Sequence, residues 1–185
     1  MAKQELKKGN LLISEPFLGD DNFERSVVLI CEHNEQGSFG FILNQNTTIL
    51  LKDVWDEVTY GDFPVYIGGP VQKNTLHFVH KLGNKIINSV EIANGIFWSG
   101  DYEQVALMVN LGKIDEKDIR FFIGYSGWSS GQLEREIAAN SWIVTVTDAD
   151  FIFETEPQQF WRNILKKMGG KYKAISNYPI DPSMN

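Results

Sequence analysis

One stretch of the sequence has the pattern of a serine nucleophile. Gly127-Trp128-Ser129-Ser130-Gly131 matches the G-x-S-x-G nucleophile elbow and lies between a predicted strand and a predicted helix, the setting that such a serine needs. The hydroxyl also needs a general base, and in that hydrolase fold the histidine follows the serine in the chain. All three histidines precede Ser129. We therefore predict that Ser129 caps a helix with Gln132, which stands at capping-box spacing.

A thiol nucleophile is the second possibility, because Cys31 and His33 would share one face of a strand. Cys31 ends an apolar run, however, where free cysteine is usually an inert buried residue. We predict a buried Cys31 and a His33 that forms a hydrogen bond at a hairpin. No hydroxyl or thiol has a base beside it together with a group to orient that base, so no catalytic residue is assigned and enzymatic activity is not favoured.

The sequence also lacks a metal-binding pattern. His77 and His80 are three residues apart on a predicted strand, which places them on opposite faces. With one cysteine and no paired ligands at zinc spacing, no metal and no cofactor are predicted. Asp20-Asp21-Asn22 lacks the rest of a calcium loop and is interpreted as a turn.

Residues 125–134 are the most promising contact surface. Two aromatic side chains, glycine-containing turns and the start of a helix meet there, and free N–H groups at a helix start can hold a small anion. We expect a protein or small ligand to bind this turn, and the alternative is a small-anion or nucleotide site or an enzyme that uses the same turn. The candidate residues are Tyr125, Trp128, Ser129, Ser130, Gln132 and Glu134.

A basic cluster near the carboxyl end offers another possibility, direct contact with DNA or another polyanion. Its members are Arg162, Lys166, Lys167, Lys171 and Lys173. The net charge of −7 makes nucleic acid an unfavoured partner. The alternative that we favour is that these cations complement the dipole at a helix end and remain solvated.

Composition predicts one globular domain over residues 1–185 in a reducing compartment. A single cysteine allows no intrachain disulfide, and the charged start of the chain has no apolar signal segment. The longest apolar run has five residues, far below the roughly 18 that cross a bilayer. We expect a cytoplasmic protein without membrane contact.

Hydrophobic periodicity predicts an alternation of strands and helices. A hairpin is predicted from residues 26–32 and 39–43, and residues 119–123 form a continuous apolar run typical of a central strand. Residues 1–8 are expected to be flexible and residues 171–185 to form an irregular tail. Further strands are predicted at residues 64–67, 75–81, 85–91, 95–98 and 141–147. Helices are predicted at residues 50–58 after Thr47 or Thr48, between Asp101 and Gly112, at residues 132–139, and between Thr155 and Gly169. Thr155 and Gln158 have the spacing of a capping box at the start of the last helix.

Several stretches taken together resemble the YqgE/AlgH family. They are Gly9-Asn10-Leu11-Leu12-Ile13, Asp21-Asn22-Phe23-Glu24-Arg25-Ser26, Glu32-His33-Asn34, Gly68-Gly69-Pro70-Val71, Ser99-Gly100-Asp101, Gly124-Tyr125-Ser126-Gly127-Trp128 and Gly131-Gln132-Leu133-Glu134. The resemblance implies a single-domain α+β fold with a complex, mixed and branching β-sheet surrounded by helices. It also brings a label of transcriptional regulator that rests on no known mechanism, and it supplies no catalytic residues.

From these observations we expect a non-enzymatic binding or regulatory protein that acts through protein or small-ligand contacts.

Overall fold

The computed structural model describes residues 5–179. Its strands are β1 (Leu11–Ser14), β2 (Val27–Asn34), β3 (Gly37–Ile42), β4 (Asn46–Leu50), β5 (Pro64–Ile67), β6 (Val71–His80), β7 (Val90–Ala93), β8 (Ile96–Trp98), β9 (Ile119–Ser129) and β10 (Trp142–Thr145). Its helices are α1 (Tyr102–Asn110), α2 (Gln132–Ala138), α3 (Ala149–Glu154), α4 (Pro157–Met168) and α5 (Gly170–Ile175).

These strands form one branched sheet. The main path runs β10-β1-β2-β3-β9-β6-β8-β7, while β4 pairs with β5, and β5 pairs with β9. The β5–β9 pair is parallel and the other pairs are antiparallel. The predicted α+β class with a mixed, branching sheet is confirmed.

The branch lies on β9, the central strand predicted from its apolar run. Its first half pairs with β5 and β6, and its second half pairs with β3. Gly124, with φ 68°, stands between the two halves. A Cβ atom added to Gly124 would lie 2.7 Å from the Gly69 carbonyl oxygen, and one on Gly69 would lie 2.3 Å from the Tyr125 carbonyl carbon. Because the backbones approach so closely, the branch requires glycine at both positions.

Helices cover both faces of the sheet. α4 buries Phe160, Trp161, Ile164 and Leu165 in the cluster that contains Leu11, Leu29, Phe41 and Phe122. α1 packs Val105 and Val109 against Phe78 and Phe121, and α2 packs Leu133 beside Trp128 and Trp142. The sheet therefore supplies a core on each side, and α2 holds the end of β9.

Several predicted boundaries are confirmed. The hairpin joins β2 to β3 with Glu35 and Gln36 between the strands. Asp101 caps α1 by accepting a hydrogen bond from the Gln104 N–H at 2.8 Å, and Gly112 follows the helix with φ 62°.

The helix predicted over residues 50–58 is wrong. Residues 46–50 form β4, and only Leu51–Asp53 make a single 3-10 turn. The β-branched run Thr47, Thr48 and Ile49 favours a strand, and β5 pairs with it. The strand predicted over residues 85–91 is also mostly wrong, since only Val90–Ala93 is extended.

The carboxyl-terminal expectations need two corrections. Thr155 ends the unpredicted α3 and does not cap α4, which begins at Pro157 without a side-chain cap. Gly170–Ile175 is helical, so the beginning of the predicted irregular tail is α5. Residues 180–185 of that tail and residues 1–4 of the predicted flexible start lie outside the described residues, while Leu6 packs against the cluster around Leu12.

Within residues 5–179, no helix is both long enough and apolar enough to cross a membrane.

Candidate functional site

The segment predicted as a contact turn is mostly a strand. Residues 125–129 continue β9, and only Ser130 and Gly131 separate it from α2. Tyr125 and Trp128 consequently lie on opposite faces of the sheet: the Tyr125 ring packs 6.2 Å from Phe39, whereas Trp128 belongs to the cluster around Leu133. The expected convergence of the two aromatic side chains is therefore wrong, because side chains three apart on a strand point in opposite directions.

Ser129 is exposed and is bonded to Gln132. The Gln132 side-chain oxygen accepts from the Ser129 N–H at 3.0 Å and from its hydroxyl at 3.2 Å. The α2 N-cap is Gly131, with φ 67°, and it has no side-chain cap. The predicted capping box is therefore half formed: Gln132 reaches back to Ser129, but Ser129 belongs to β9 and does not cap the helix.

Glu136 is the centre of a hydrogen-bond network at this junction. One carboxylate oxygen accepts from the indole N–H groups of Trp128 (2.9 Å) and Trp142 (2.8 Å). The other accepts from the Gln132 amide at 2.9 Å. The Glu136 carboxylate on α2 thus connects this helix to β9 through Trp128 and to β10 through Trp142. Gln132 adds a second connection to β9 through its hydrogen bonds with Ser129.

A cavity of about 310 Å³ opens beside this network, and we call it the aromatic pocket. Phe23 packs in it with its ring centroid 6.1 Å from that of Trp128 and 5.4 Å from that of Trp142. Its charged members are Asp20 and Glu136, and no cationic side chain is among its described lining residues. The lining consists of Leu18, Asp20, Phe23, Pro70, Gly127, Trp128, Gln132, Glu136, Ser141 and Trp142.

Of the six candidate residues, only Trp128 and Gln132 are in the described lining of this pocket. Ser130 and Glu134 are exposed, and Glu134 stands in the first turn of the seven-residue α2. A carboxylate in that position disfavours a bound anion at the helix start. The anion site at this turn thus stays a prediction with little geometric support.

A serine and a histidine that the sequence did not pair lie together near this junction. The His33 Nδ1 atom is 2.8 Å from the Ser38 hydroxyl, and its Nε2 atom is 3.8 Å from a Glu134 carboxylate oxygen. The hydrogen bond predicted for His33 is confirmed. The sequence predicted that no hydroxyl or thiol has a base beside it together with a group to orient that base. For Ser38 the first half of this prediction is wrong, because His33 contacts it, whereas Glu134 lies 3.8 Å from His33, beyond hydrogen-bond distance. Ser38 is only 8% exposed and is enclosed in β3, opposite His33 on one side and Trp128 on the other.

The remaining reactive side chains lie apart from one another. Cys31 is buried, as predicted, and burial raises the pKa of its thiol well above its usual value. The His77 ring lies 5.2 Å from Phe41 and the His80 ring 5.6 Å from Phe97, so the two histidines contact different residues. Among the described residues, no three His, Cys, Asp or Glu side chains are arranged to hold a metal ion.

The predicted basic cluster is divided in space. Lys167 donates to Asp148 at 2.7 Å, and this ion pair and hydrogen bond lower the pKa of the Asp148 carboxyl. Lys171 stands over the ring of Tyr172, and Lys173 is on α5. Arg162 and Lys166 line a separate groove beside Glu24 and Arg25.

Sequence reasoning missed Asp20, Phe23, Glu136 and Trp142. Glu136 could have been found, because it stands one helical turn after Gln132 on the same face of α2. Phe23 and Trp142 carry no such signal, since they reach the pocket from elements distant in sequence.

The fold defines a single-domain α+β protein built on a branched, mostly antiparallel sheet. Residues 11–173 match a family model described as AlgH-like (DUF179), and the chain belongs to this family. A UPF0301 protein of Cytophaga hutchinsonii is 44% identical over 181 residues, covering 97% of this chain and all of the relative. A UPF0301 protein of Chlorobaculum tepidum is 42% identical over 183 residues, covering 97% of this chain and 96% of the relative.

Two solved structures have the same fold. The crystal structure of protein DIP2367 from Corynebacterium diphtheriae has a TM-score of 0.76 at 25% identity and covers 96% of this chain and 95% of its own. The solution structure of the AlgH protein from Pseudomonas aeruginosa has a TM-score of 0.74 at 25% identity and covers 97% of this chain and 98% of its own.

Proposed function

We propose that this protein is a non-catalytic binding protein whose aromatic pocket takes a cationic group, either a lysine or arginine side chain of a protein partner or a small organic amine. The observation that carries the proposal is the composition of the pocket: three aromatic rings and two carboxylates, with no cation among its described lining residues. Aromatic faces attract cations electrostatically, and neighbouring carboxylates add to that attraction.

The hydrogen bonds of Glu136 support a role in binding. An ionised carboxylate has about four acceptor positions, and the two indoles and the Gln132 amide use three of them. One position on the oxygen that faces Gln132 is left for a donor. Because the network fixes the carboxylate before the ligand arrives, binding costs little ordering of this side chain.

The size of the pocket favours one group of modest size. A cavity of about 310 Å³ is at the lower end of the roughly 300–1,000 Å³ range of small-molecule sites. A single basic side chain fits that volume better than a nucleotide does. Regulation through such a contact would require no catalytic residue, and the regulatory role, transcriptional or other, stays part of the proposal.

The test is a titration of acetyl-arginine amide and acetyl-lysine amide, with acetyl-norleucine amide as the uncharged control, followed by tryptophan fluorescence. We expect both cationic amides to bind. Asp20→Asn should lower the affinity for each of them about two- to fivefold, as loss of an exposed charge contact does. Asn at this position retains the turn that Asp20 forms by accepting from the Asn22 N–H. Asp21→Asn is the matched control, because Asp21 is exposed and is not in the lining. Equal binding of acetyl-norleucine amide, or equal weakening by both substitutions, would contradict the proposal.

A further inference from the structure

A second cavity, of about 550 Å³, lies between α4 and the chain before β2, and we call it the arginine groove. One face of α4 forms a wall of it, since its residues there are three or four apart. Across from that face lie Glu24 and Arg25, with Asn44 beside them. The lining consists of Glu24, Arg25, Asn44, Gln158, Gln159, Trp161, Arg162, Asn163 and Lys166.

The groove concentrates positive charge in an acidic protein. Arg25, Arg162 and Lys166 face a single carboxylate, Glu24, although the whole chain carries a net charge of −7. None of the ion pairs within 4.0 Å in the described part of the chain involves any of these three cations. Their charge is consequently available to a ligand.

Arg25 is held in place without an ion pair within 4.0 Å among the described residues. Its guanidinium lies 4.7 Å from the Trp161 ring and donates to the carbonyl oxygens of Tyr178, at 2.8 Å, and Pro179. Its Nε atom is buried and has no hydrogen-bond partner among residues 5–179. Burial and the nearby charge of Arg162 lower the pKa of Arg25, while Glu24 acts in the opposite direction.

The backbone at Arg25 is in a conformation that a non-glycine residue rarely adopts. Its φ is 46°, and Asn44 holds this geometry by donating to the Arg25 carbonyl oxygen at 2.9 Å and accepting from the Val27 N–H at 2.8 Å. Such strain persists where surrounding contacts impose it, and it occurs often in binding sites. Here it directs the guanidinium over Trp161 and toward α4.

We propose that the arginine groove binds the phosphoryl group of a small phosphorylated molecule. Two guanidinium groups and one ammonium group match the charge and oxygen geometry of a phosphate ester or diphosphate. The amides of Asn44, Gln158, Gln159 and Asn163 offer further donors for the rest of the molecule. A volume of about 550 Å³ admits a ligand of nucleotide size.

Nucleic acid is the less suitable occupant. Lys167 is paired with Asp148, so the basic residues do not continue as one strip along α4. A long polyanion would also meet the net negative charge of the whole molecule, which a small ligand in the groove largely avoids.

The test uses isothermal titration of the full chain with inorganic pyrophosphate and, separately, with a short DNA duplex. We expect pyrophosphate to bind and Arg162→Gln to weaken it at least tenfold, because Arg162 is exposed and its loss leaves the core intact. Arg135→Gln, the loss of an exposed arginine on α2, is the control and should bind as the unmodified protein does. Arg25→Lys keeps the positive charge but loses the planar guanidinium, which can donate two parallel hydrogen bonds to a phosphoryl group. We expect this substitution also to weaken pyrophosphate binding.

Three results would overturn the proposal. They are the absence of heat with pyrophosphate at millimolar concentration, equal affinity of the Arg162→Gln and Arg135→Gln proteins, and tighter binding of the duplex than of pyrophosphate with a steep dependence on salt. The experiment is independent of the aromatic pocket, whose lining shares no residue with this groove.

Discussion

At the scale of single residues, the hydrogen bonds of Glu136 account for the positions of Trp128, Gln132 and Trp142 around Ser129. Its carboxylate accepts from two indole N–H groups and one amide, so each of these donors is paired. Removing the carboxylate would leave two indole N–H groups without this partner in a largely buried cluster, at a cost of about 1–3 kcal/mol each where no water replaces it. Gln132 and both tryptophans thereby form one structural unit.

The first prediction concerns the two serines near this unit. The Ser129 hydroxyl donates a hydrogen bond to the Gln132 side-chain oxygen, and the Ser38 hydroxyl is hydrogen-bonded to His33 and is only 8% exposed. We expect a fluorophosphonate probe to label neither serine in the native protein, as measured by mass spectrometry of tryptic peptides, with a known serine hydrolase as the positive control. Stoichiometric labelling of Ser38 that disappears in a His33→Ala variant would show that this hydroxyl is activated.

At the scale of elements, the junction of β5, β6 and β9 determines the architecture. On one side of β9, the neighbouring strand is β5 before Gly124 and β3 after it. The Ser126 hydroxyl donates a hydrogen bond to the Gly68 carbonyl oxygen at 3.0 Å at this point. Strands can leave one neighbour for another only where backbone can approach backbone without a side chain between them. The glycines at positions 68, 69 and 124 therefore have a structural role.

The second prediction concerns this junction. Gly69→Ala places a methyl group 2.3 Å from the Tyr125 backbone at φ 155°, so we expect a loss of more than about 4 kcal/mol in the free energy of unfolding, or failure to fold. Gly19→Ala is the control, because Gly19 has φ 73° and nothing within 4 Å of the added carbon. It should cost only the roughly 1–2 kcal/mol of a left-handed backbone. Urea unfolding followed by circular dichroism measures both, and similar losses would show that close approach is unimportant.

At the scale of the whole molecule, charge is distributed unevenly. The aromatic pocket contains two carboxylates, whereas the arginine groove contains three cations and one carboxylate. The two sites share no lining residue, since the pocket lies beside α2 and the groove lies along α4. The fold can therefore hold a cation and an anion at different surfaces despite its net negative charge.

The third prediction concerns the pH dependence of global stability. Burial lowers the pKa of His77, and it also lowers that of His80 more than the hydrogen bond to the Ser99 carbonyl oxygen raises it. His80 accepts at Nδ1 from the Leu82 N–H at 3.2 Å. A proton on Nδ1 would turn this atom into a donor that faces the Leu82 donor, which is unfavourable. Between the lowered pKa and the ordinary value of 6.5 the unfolded chain binds more protons than the folded one. The free energy of unfolding should therefore be constant above about pH 7.5 and fall as the pH drops below 6.5, by less than about 1.4 kcal/mol per pH unit for each histidine.

Denaturant unfolding at a series of pH values measures this slope. We expect His80→Gln and His77→Gln each to reduce it between pH 5 and 6.5, whatever they do to stability at neutral pH. An unchanged slope in both variants would assign the acid sensitivity to other groups.

Local periodicity and composition were enough to predict several features of the fold. The hairpin of β2 and β3, the amphipathic α4, the cap at Asp101 and the central position of β9 follow from apolar spacing and from residue chemistry within a few positions. The predictions for residues 50–58 and 171–175 were wrong, because strand pairing and packing override weak helical or irregular preferences.

Which residues form each site depends on the packing of the whole fold. This packing separates Tyr125 from Trp128 across the sheet, brings Phe23 and Trp142 to the Trp128 side, and sets Arg25 beside Arg162. These contacts join elements that are distant in sequence, and they depend on the order β10-β1-β2-β3-β9. The physical reason is that local spacing fixes the face on which a side chain lies along its own strand or helix, whereas the opposing surface comes from whichever element the sheet order places next to it.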